Sequence, residues 1–113
     1  MEAVIRRLGG KKDLPDLLLF SDDYVAFGGL VGLAACGIRV PDDLRVLTLS
    51  NVGFEPVFPV PLAQIRIDPR ANGAAIAAKV LAQMEGRPFS EPLPAPEFVA
   101  AASFPLPQTS SDC

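Results

Sequence analysis

The sequence predicts an α/β domain in which helices flank a parallel sheet. Two observations support this fold class. Short apolar runs alternate with stretches of helical character, and each run is followed directly by residues that cap helices. The chain has 113 residues, which is enough for one domain with one hydrophobic core. Half of its residues are hydrophobic, as is usual for a globular protein.

The first strand is predicted at residues 17–21, where the apolar run Leu17-Leu18-Leu19-Phe20 ends on Ser21 and Asp22. A short, wholly apolar run is typical of a strand that is buried on both faces. Ser and Asp accept hydrogen bonds from the free N–H groups of a helix's first turn. We therefore expect a helix from about Asp23 to Cys36, ended by the left-handed residue Gly37.

This first helix carries no charge after its opening carboxylates. A surface helix normally shows a polar face, and a helix that is apolar nearly all round is buried. Two interpretations stay open: a helix buried wholly in the core, or a helix with one side on its own sheet and the other on a second subunit. Cys36 is expected to pack as a small hydrophobic residue.

A second strand is predicted from Arg45 to Ser50, again followed by a polar residue, Asn51. Because a helix joins the two strands, they should be parallel neighbours with their carboxyl ends side by side. Ligands of open α/β sheets bind at that edge. We therefore expect four polar residues to converge there, either as helix caps alone or as caps that also contact a ligand: Ser21, Asp22, Ser50 and Asn51.

The remaining elements follow from similar signals. Phe54 and Phe58 lie in a proline-rich loop and should pack on apolar surface. A third strand is predicted at 63–67, and Asp68-Pro69 begins a helix that runs to about Glu85. This helix carries an apolar stripe that includes Ile76, Val80 and Met84. A last strand is predicted from Phe98 to Ser103, and residues 105–113 are expected to be disordered.

Composition excludes several classes of function. The net charge is −3, whereas a nucleic-acid-binding domain usually has a basic face. The chain has no His and two Cys, so neither a zinc site nor a disulfide framework is expected, and a reducing cytoplasm is the default. No apolar run is long enough to span a membrane. Asp22 and Asp23 could hold Mg²⁺ as part of an enzyme site, but no phosphate loop or nucleophile motif accompanies them, so we expect no enzyme, metal or cofactor.

Several motifs together resemble the effector domain of LacI/GalR-type bacterial transcription regulators. The residues that carry the resemblance occur in the family's order and spacing over about residues 15–104. They are Asp23-x-x-Ala26-x-Gly28, Gly37-Ile38-Arg39-Val40-Pro41-Asp42-Asp43-Leu44, Val46 to Ser50, Pro61-Leu62 and Gly73. The resemblance implies the carboxy-terminal part of a periplasmic-binding-protein-like type I domain, mainly its carboxy-terminal lobe, over residues 1–104. Residues 63–85 would belong to the other lobe of the full protein.

The resemblance also implies which residues act. Asp22 and Ser50 stand at positions that contact the effector in the family. At the position of Ser50 the family has an Asp. The effector would be a sugar or a nucleoside-like molecule. The chain would be a homodimer, and DNA would be bound only through a head domain that this chain lacks. A transporter's sugar-binding protein with the same fold is the alternative. The family's dimer contacts correspond to four residues, of which Phe58 could instead pack within its own lobe: Phe27, Leu30, Phe54 and Phe58.

Overall fold

The computed structural model describes Arg7 and residues 13–53 and 57–107. The described residues contain four strands and two helices of regular length, in the order that the sequence predicts. Phe54 and residues 108–113 lie outside the described part, and residues 105–107 form no regular element. The elements are β1 (Leu17–Phe20), α1 (Asp23–Ala35), β2 (Arg45–Asn51), β3 (Ala63–Ile67), α2 (Pro69–Met84) and β4 (Glu97–Val99).

The four described strands form one sheet in the order β1-β2-β3-β4. The predicted parallel pairing of β1 with β2 is confirmed. β2 also pairs parallel with β3. The last strand differs from the prediction, because β4 is shorter than the expected Phe98–Ser103 segment and pairs antiparallel with β3. The fold is therefore an α/β layer with a mixed sheet. None of the helices in the described part of the chain is long and apolar enough to cross a membrane.

Helix α1 begins and ends as predicted. The Asp22 carboxylate accepts a hydrogen bond from the Val25 N–H at 2.8 Å, which caps the first turn. After the helix, Gly37 takes φ +68°, a left-handed conformation that glycine adopts without strain. Gly29 lies against the ring of Phe20 on β1, and a Cβ at Gly29 would overlap that ring. The absence of a side chain at Gly29 therefore allows α1 to pack closely on the sheet.

The core lies between α1 and one face of the sheet. Leu18 on β1 packs against this core and Phe20 is buried in it. The expectation that β1 is buried on both faces is wrong: Leu17 and Leu19, which point to the other face, are 37% and 52% exposed. β1 is an edge strand, and α1 covers only one of its faces. The buried members of the core are Phe20, Ala26, Leu30, Leu33, Ile38, Leu44, Val46 and Leu62.

The interpretation of α1 as a fully buried core helix is also wrong. Its outer face exposes Tyr24, Phe27 and Val31, with exposed fractions of 73%, 50% and 53%. Cys36 is exposed as well, so it does not pack as a small hydrophobic residue. It follows the last helical turn as the C-cap, and no described element covers it there. A single sheet covers one side of a helix, which leaves an apolar outer face on α1.

The connection between α1 and β2 is fixed by one ion pair. Asp43 accepts hydrogen bonds from the Arg39 side chain at 2.8 and 3.0 Å and from the Arg39 backbone N–H at 2.9 Å. This hydrogen bonding, together with the charge of Asp43, raises the pKa of the Arg39 guanidinium. Residues 37–43 therefore form a turn that is held by the hydrogen bonds between the Asp43 carboxylate and Arg39.

Helix α2 has the predicted signals at both ends. Asp68 caps it by accepting from the Ala71 N–H at 3.0 Å, Pro69 occupies the first turn, and Gly86 takes φ +65° after the last one. Within α2 only Ala82 is buried. Within residues 63–85, β3 lies in the sheet and α2 exposes most of its surface. The assignment of residues 63–85 to a second lobe stays a prediction.

Candidate functional site

The carboxyl ends of β1 and β2 form a shallow polar pocket. Parallel pairing of Leu17–Phe20 with Arg45–Thr48 sets the two strand ends at the same edge of the sheet. The structure brings all four residues predicted for this edge together around a pocket of about 90 Å³. The lining is Ser21, Asp22, Leu49, Ser50, Asn51 and Ile67.

Asp22 contributes a carboxylate to this pocket while it caps α1. One of its oxygens, Oδ1, accepts from the Val25 N–H. A carboxylate has about four acceptor sites, so capping does not use its full capacity. Asp22 is half-buried at the helix N-terminus, and the hydrogen bond to Val25 orients its side chain. The cap thus orients a group that can accept hydrogen bonds from a ligand.

Ser50 is held by a partner on the neighbouring strand. Its hydroxyl donates to Gln64 Oε1 at 2.7 Å, and the side chain is 5% exposed. Gln64 Nε2 in turn donates to the Leu62 carbonyl at 3.4 Å. Because the Ser50 proton is already used, its oxygen is free to act as an acceptor.

Gln64 supports this site through its hydrogen bond with Ser50, a contact that sequence reasoning missed. The signal lies in the strand register, since Gln64 pairs with Thr48 and Arg66 pairs with Ser50. Side chains two residues apart on a strand share a face, so Gln64 lies on the same face as Arg66. Because Arg66 pairs with Ser50, Gln64 also lies beside Ser50. Arg66 also reaches this group, with its Nε donating to Gln64 Oε1 at 3.5 Å. A register of this kind becomes available only when β3 is known to pair with β2.

The rest of the pocket combines exposed polar groups with apolar walls. Ser21 and Asn51 are exposed at the rim, whereas Leu49 and Ile67 are partly buried. A few convergent polar groups beside apolar surface are typical of sites for small ligands. The volume is below the ~300 Å³ of complete small-molecule pockets. The described residues therefore provide part of such a site.

Asp23, next to Asp22, has a structural environment. It is 4% exposed, and its Oδ1 accepts from the Tyr24 N–H at 3.1 Å. Among the described residues its Oδ2 has no hydrogen-bond partner. In the same part of the chain, no three His, Cys, Asp or Glu side chains are grouped as metal ligands. Asp23 is not among the residues that line the polar pocket.

The outer face of α1 is a second surface of interest. Phe27 packs on Phe58 with ring centroids 6.4 Å apart and planes tilted by 43°. Phe58 is half-buried and contacts the core, as one of the two interpretations expected. Leu30, which we predicted at a dimer contact, is instead a core residue that is 6% exposed. Its side chain turns inward, because Ala26, Leu30 and Leu33 lie on the face of α1 that covers the sheet.

An apolar cavity of about 230 Å³ adjoins this outer face. It is larger than the polar pocket, and the sequence did not predict it. The cavity lies between α1, the turn that follows it and the loop before β3. Its lining is Leu30, Val31, Leu33, Ala34, Ile38, Val40, Pro59 and Val60.

Comparison with known proteins identifies the family. Residues 1–104 match the family described as the periplasmic binding protein-like domain. The chain belongs to this family. Among curated proteins, it is similar to the lactose operon repressor of Rhizobium radiobacter, with 24% identity over 97 residues. That alignment covers 85% of this chain and 86% of the repressor sequence.

Several solved structures that are similar to the chain are of LacI-family regulators. A LacI-family regulator from Lactobacillus casei, solved with bound glucose, is 28% identical with a TM-score of 0.64. The alignment covers 90% of this chain and 37% of the regulator. The same regulator with bound sucrose gives a TM-score of 0.65 and 38% coverage of that chain. This chain therefore spans less than two fifths of the length of these solved relatives.

A regulator from Arthrobacter sp. FB24, solved in complex with lactose, shares the fold at 23% identity. Its TM-score is 0.62, and the alignment covers 91% of this chain and 39% of the regulator. Together these matches confirm the predicted LacI-type effector-binding domain and its periplasmic-binding-protein-like fold.

Proposed function

We propose that this chain is the effector-binding and dimerisation portion of a cytoplasmic LacI-family transcription regulator. The observation that carries the proposal is the convergence of Asp22 and Ser50 on one pocket at the carboxyl ends of β1 and β2. In this role the chain senses a small molecule, and DNA is contacted by a separate head domain. The net charge of −3 agrees with a domain that does not bind DNA by itself.

The effector is a sugar. Its hydroxyl groups both donate and accept, and the pocket offers the matching groups: the Asp22 carboxylate, the Ser50 oxygen and the Asn51 amide. Each ligand hydroxyl needs such a partner once water is removed from it. The Lactobacillus casei regulator, solved with bound glucose and with bound sucrose, supports a sugar as the ligand class. A nucleoside-like ligand is the second candidate in the test below.

Dimerisation uses the outer face of α1. Tyr24, Phe27 and Val31 present apolar surface there, and Phe58 extends it through its contact with Phe27. Exposed apolar surface that is contiguous in this way marks sites of protein association. A second copy of the same face would cover it symmetrically. Leu30 supports this face from below as part of the core.

The proposal is tested by titrating the ¹⁵N-labelled chain with glucose, sucrose or adenosine and recording amide chemical shifts. A partial pocket should bind weakly, and this measurement detects weak binding and assigns it to residues. We expect glucose or sucrose to shift the amides of Ser21, Asp22, Ser50 and Asn51, and to leave Gly86 unchanged as an internal control. The sugar-binding proposal is wrong if neither sugar shifts these amides, or if the shifts are spread over the whole chain.

A further inference from the structure

The direction of the hydrogen bond between Ser50 and Gln64 is fixed by the neighbours of the Gln64 amide. The Leu62 carbonyl oxygen, which can only accept, lies 3.4 Å from Gln64 Nε2. The Nε atom of Arg66, whose N–H can only donate, lies 3.5 Å from Gln64 Oε1. Both contacts require the amide oxygen to be the atom that lies 2.7 Å from Ser50 Oγ. Ser50 is therefore the donor in this bond.

The Ser50 hydroxyl consequently presents an acceptor to the polar pocket. A serine hydroxyl carries one proton and two lone pairs, and Gln64 accepts the proton. Ser50 lines the pocket and is 5% exposed. Turning the proton towards a ligand would remove a hydrogen bond from this buried pair, which is costly. What Ser50 offers to a ligand is thus the capacity to accept a hydrogen bond.

Asp22 offers the pocket a group of the same polarity. A carboxylate accepts hydrogen bonds and has no proton to donate. Its Oδ1 accepts from the Val25 N–H at 2.8 Å, and this cap leaves its other oxygen, Oδ2, for a ligand. Ser21 and Asn51, which also line the pocket and carry donors, are exposed at its rim. The two least exposed polar residues of the lining, Asp22 and Ser50, therefore both accept.

We propose that the ligand donates two hydroxyl protons to this pocket, one to Asp22 and one to Ser50, and that Gln64 is the positioning residue that sets this polarity. A volume of about 90 Å³ admits one edge of a sugar ring rather than a whole sugar, so the two hydroxyls are neighbours on one ring. A group with lone pairs and no proton is disfavoured at either position. The inference rests on the proposed sugar-binding function and adds which hydrogen bonds select the sugar.

The bond between Ser50 and Gln64 is tested first without a ligand. Urea midpoints are compared for the unchanged protein, Ser50→Ala, Gln64→Leu and the double variant. Because the two substitutions remove one shared hydrogen bond, the double variant should lose less than the sum of the single losses. Ser50→Ala combined with Gln83→Leu, at an exposed glutamine of α2, should be additive. Additive losses for Ser50 and Gln64 would overturn the inference.

Gln64→Glu tests the direction of the bond. A carboxylate at position 64 can only accept, so Ser50 can still donate to it. We expect Ser50→Ala to lower the urea midpoint by a similar amount in the Gln64→Glu protein and in the unchanged protein. A Ser50→Ala effect that vanishes in the Gln64→Glu protein would show that Ser50 accepts from the Gln64 amide, which would overturn the inference.

The selection of the ligand is tested with glucose analogues in which one hydroxyl at a time is replaced by fluorine, which cannot donate. Amide-shift titration should show about tenfold weaker binding for the analogues altered at two neighbouring positions, because each leaves Asp22 or Ser50 without a donor. In Gln64→Leu, the analogue altered at the position that faces Ser50 should bind within about threefold of glucose, since the Ser50 proton is released. Gln64→Glu should keep the selectivity of the unchanged protein.

The remaining outcomes separate this inference from the proposed function. Glucose and all its analogues binding equally well would overturn the inference while sugar binding itself stands. Gln64→Leu weakening every sugar by the same factor would also overturn it, because that is the effect of a residue that only supports the fold. Glucose that shifts no amide of the pocket would contradict the proposed function, and this inference with it.

Discussion

Ser103 and Val46, 57 residues apart in sequence, are joined by two hydrogen bonds. The Ser103 hydroxyl donates to the Val46 carbonyl at 2.7 Å, and the Val46 N–H donates to the Ser103 carbonyl at 2.9 Å. The same hydroxyl oxygen accepts from the Ala63 N–H at 2.8 Å, and the Ser103 N–H donates to Pro61 at 3.0 Å. One fully buried serine thus joins the segment after β4 to β2 and to the start of β3.

Replacing this hydroxyl should destabilise the fold. In Ser103→Ala the buried N–H of Ala63 loses its acceptor, and an unpaired buried donor costs about 2 kcal/mol. Urea unfolding followed by circular dichroism measures the effect. Ser90→Ala, at an exposed serine, is the matched control and should change the stability by less than about 0.5 kcal/mol. Equal effects of the two substitutions would contradict the bracing role of Ser103.

Two glycine substitutions should act in opposite directions. Gly29→Ala places a methyl group in the ring of Phe20 and should destabilise the fold by about 1–3 kcal/mol through overpacking. Gly73→Ala adds the same methyl group to α2 where the space is open, and should stabilise it by about 0.5–1 kcal/mol. Thermal unfolding at low protein concentration compares the two. A stabilised Gly29→Ala protein would show that α1 does not pack closely on Phe20.

The stability of the turn after α1 should depend more on Asp43 than on its neighbour Asp42. Asp43 makes three hydrogen bonds to Arg39 and its side chain is 14% exposed, whereas Asp42 lies 3.9 Å from the same guanidinium and is 67% exposed. Asp43→Asn should therefore lower the urea midpoint more than Asp42→Asn.

Titration of Arg39 should not make this effect vary near neutral pH. Its folded-state pKa is raised, so its contribution is fully present at neutral pH, and titration of Arg39 removes it only in strong alkali. A difference between Asp43→Asn and the unchanged protein that disappears near neutral pH would contradict this assignment.

Two substitutions at Asp22 separate its capping role from ligand contact. Asp22→Ala removes the cap on Val25 and should cost about 1 kcal/mol of stability, whereas Asp22→Ser keeps a good capping residue. If the carboxylate also contacts the effector, both variants should weaken sugar binding. Unfolding curves and the amide-shift titration with glucose measure the two effects. Undiminished binding by Asp22→Ser would mean that the carboxylate acts as a cap alone.

The outer face of α1 should control association of the chain through that face. Phe27→Glu places a charge on the proposed interface and should weaken self-association about tenfold or more, because the burial of one Phe side chain contributes ~1.5–3 kcal/mol. Leu93→Glu is the control, since Leu93 has a similar exposed fraction but lies in the coil before β4. Sedimentation velocity measures both. Equal weakening by the two variants would contradict an interface at Phe27.

The convergence of Asp22 and Ser50 could be predicted because both signals are local. Each follows an apolar run directly, and the connecting helix requires parallel neighbours with adjacent ends. Gln64 was not predictable in the same way. Its contact with Ser50 depends on the register of β3 against β2, which no short segment of the sequence determines.

The sequence by itself determined where the two helices begin and end. Asp22, Gly37, Asp68 and Gly86 stop or cap the helices through groups within a few residues of them, so their effect is readable without the fold. The tertiary structure alone decided which apolar surfaces are covered. Leu30 is buried while Phe27 is exposed. Ser103, which was predicted to end the last strand, is instead a buried residue outside β4 whose hydroxyl donates to the Val46 carbonyl. Burial depends on which distant segments meet, and composition specifies only that apolar surface exists.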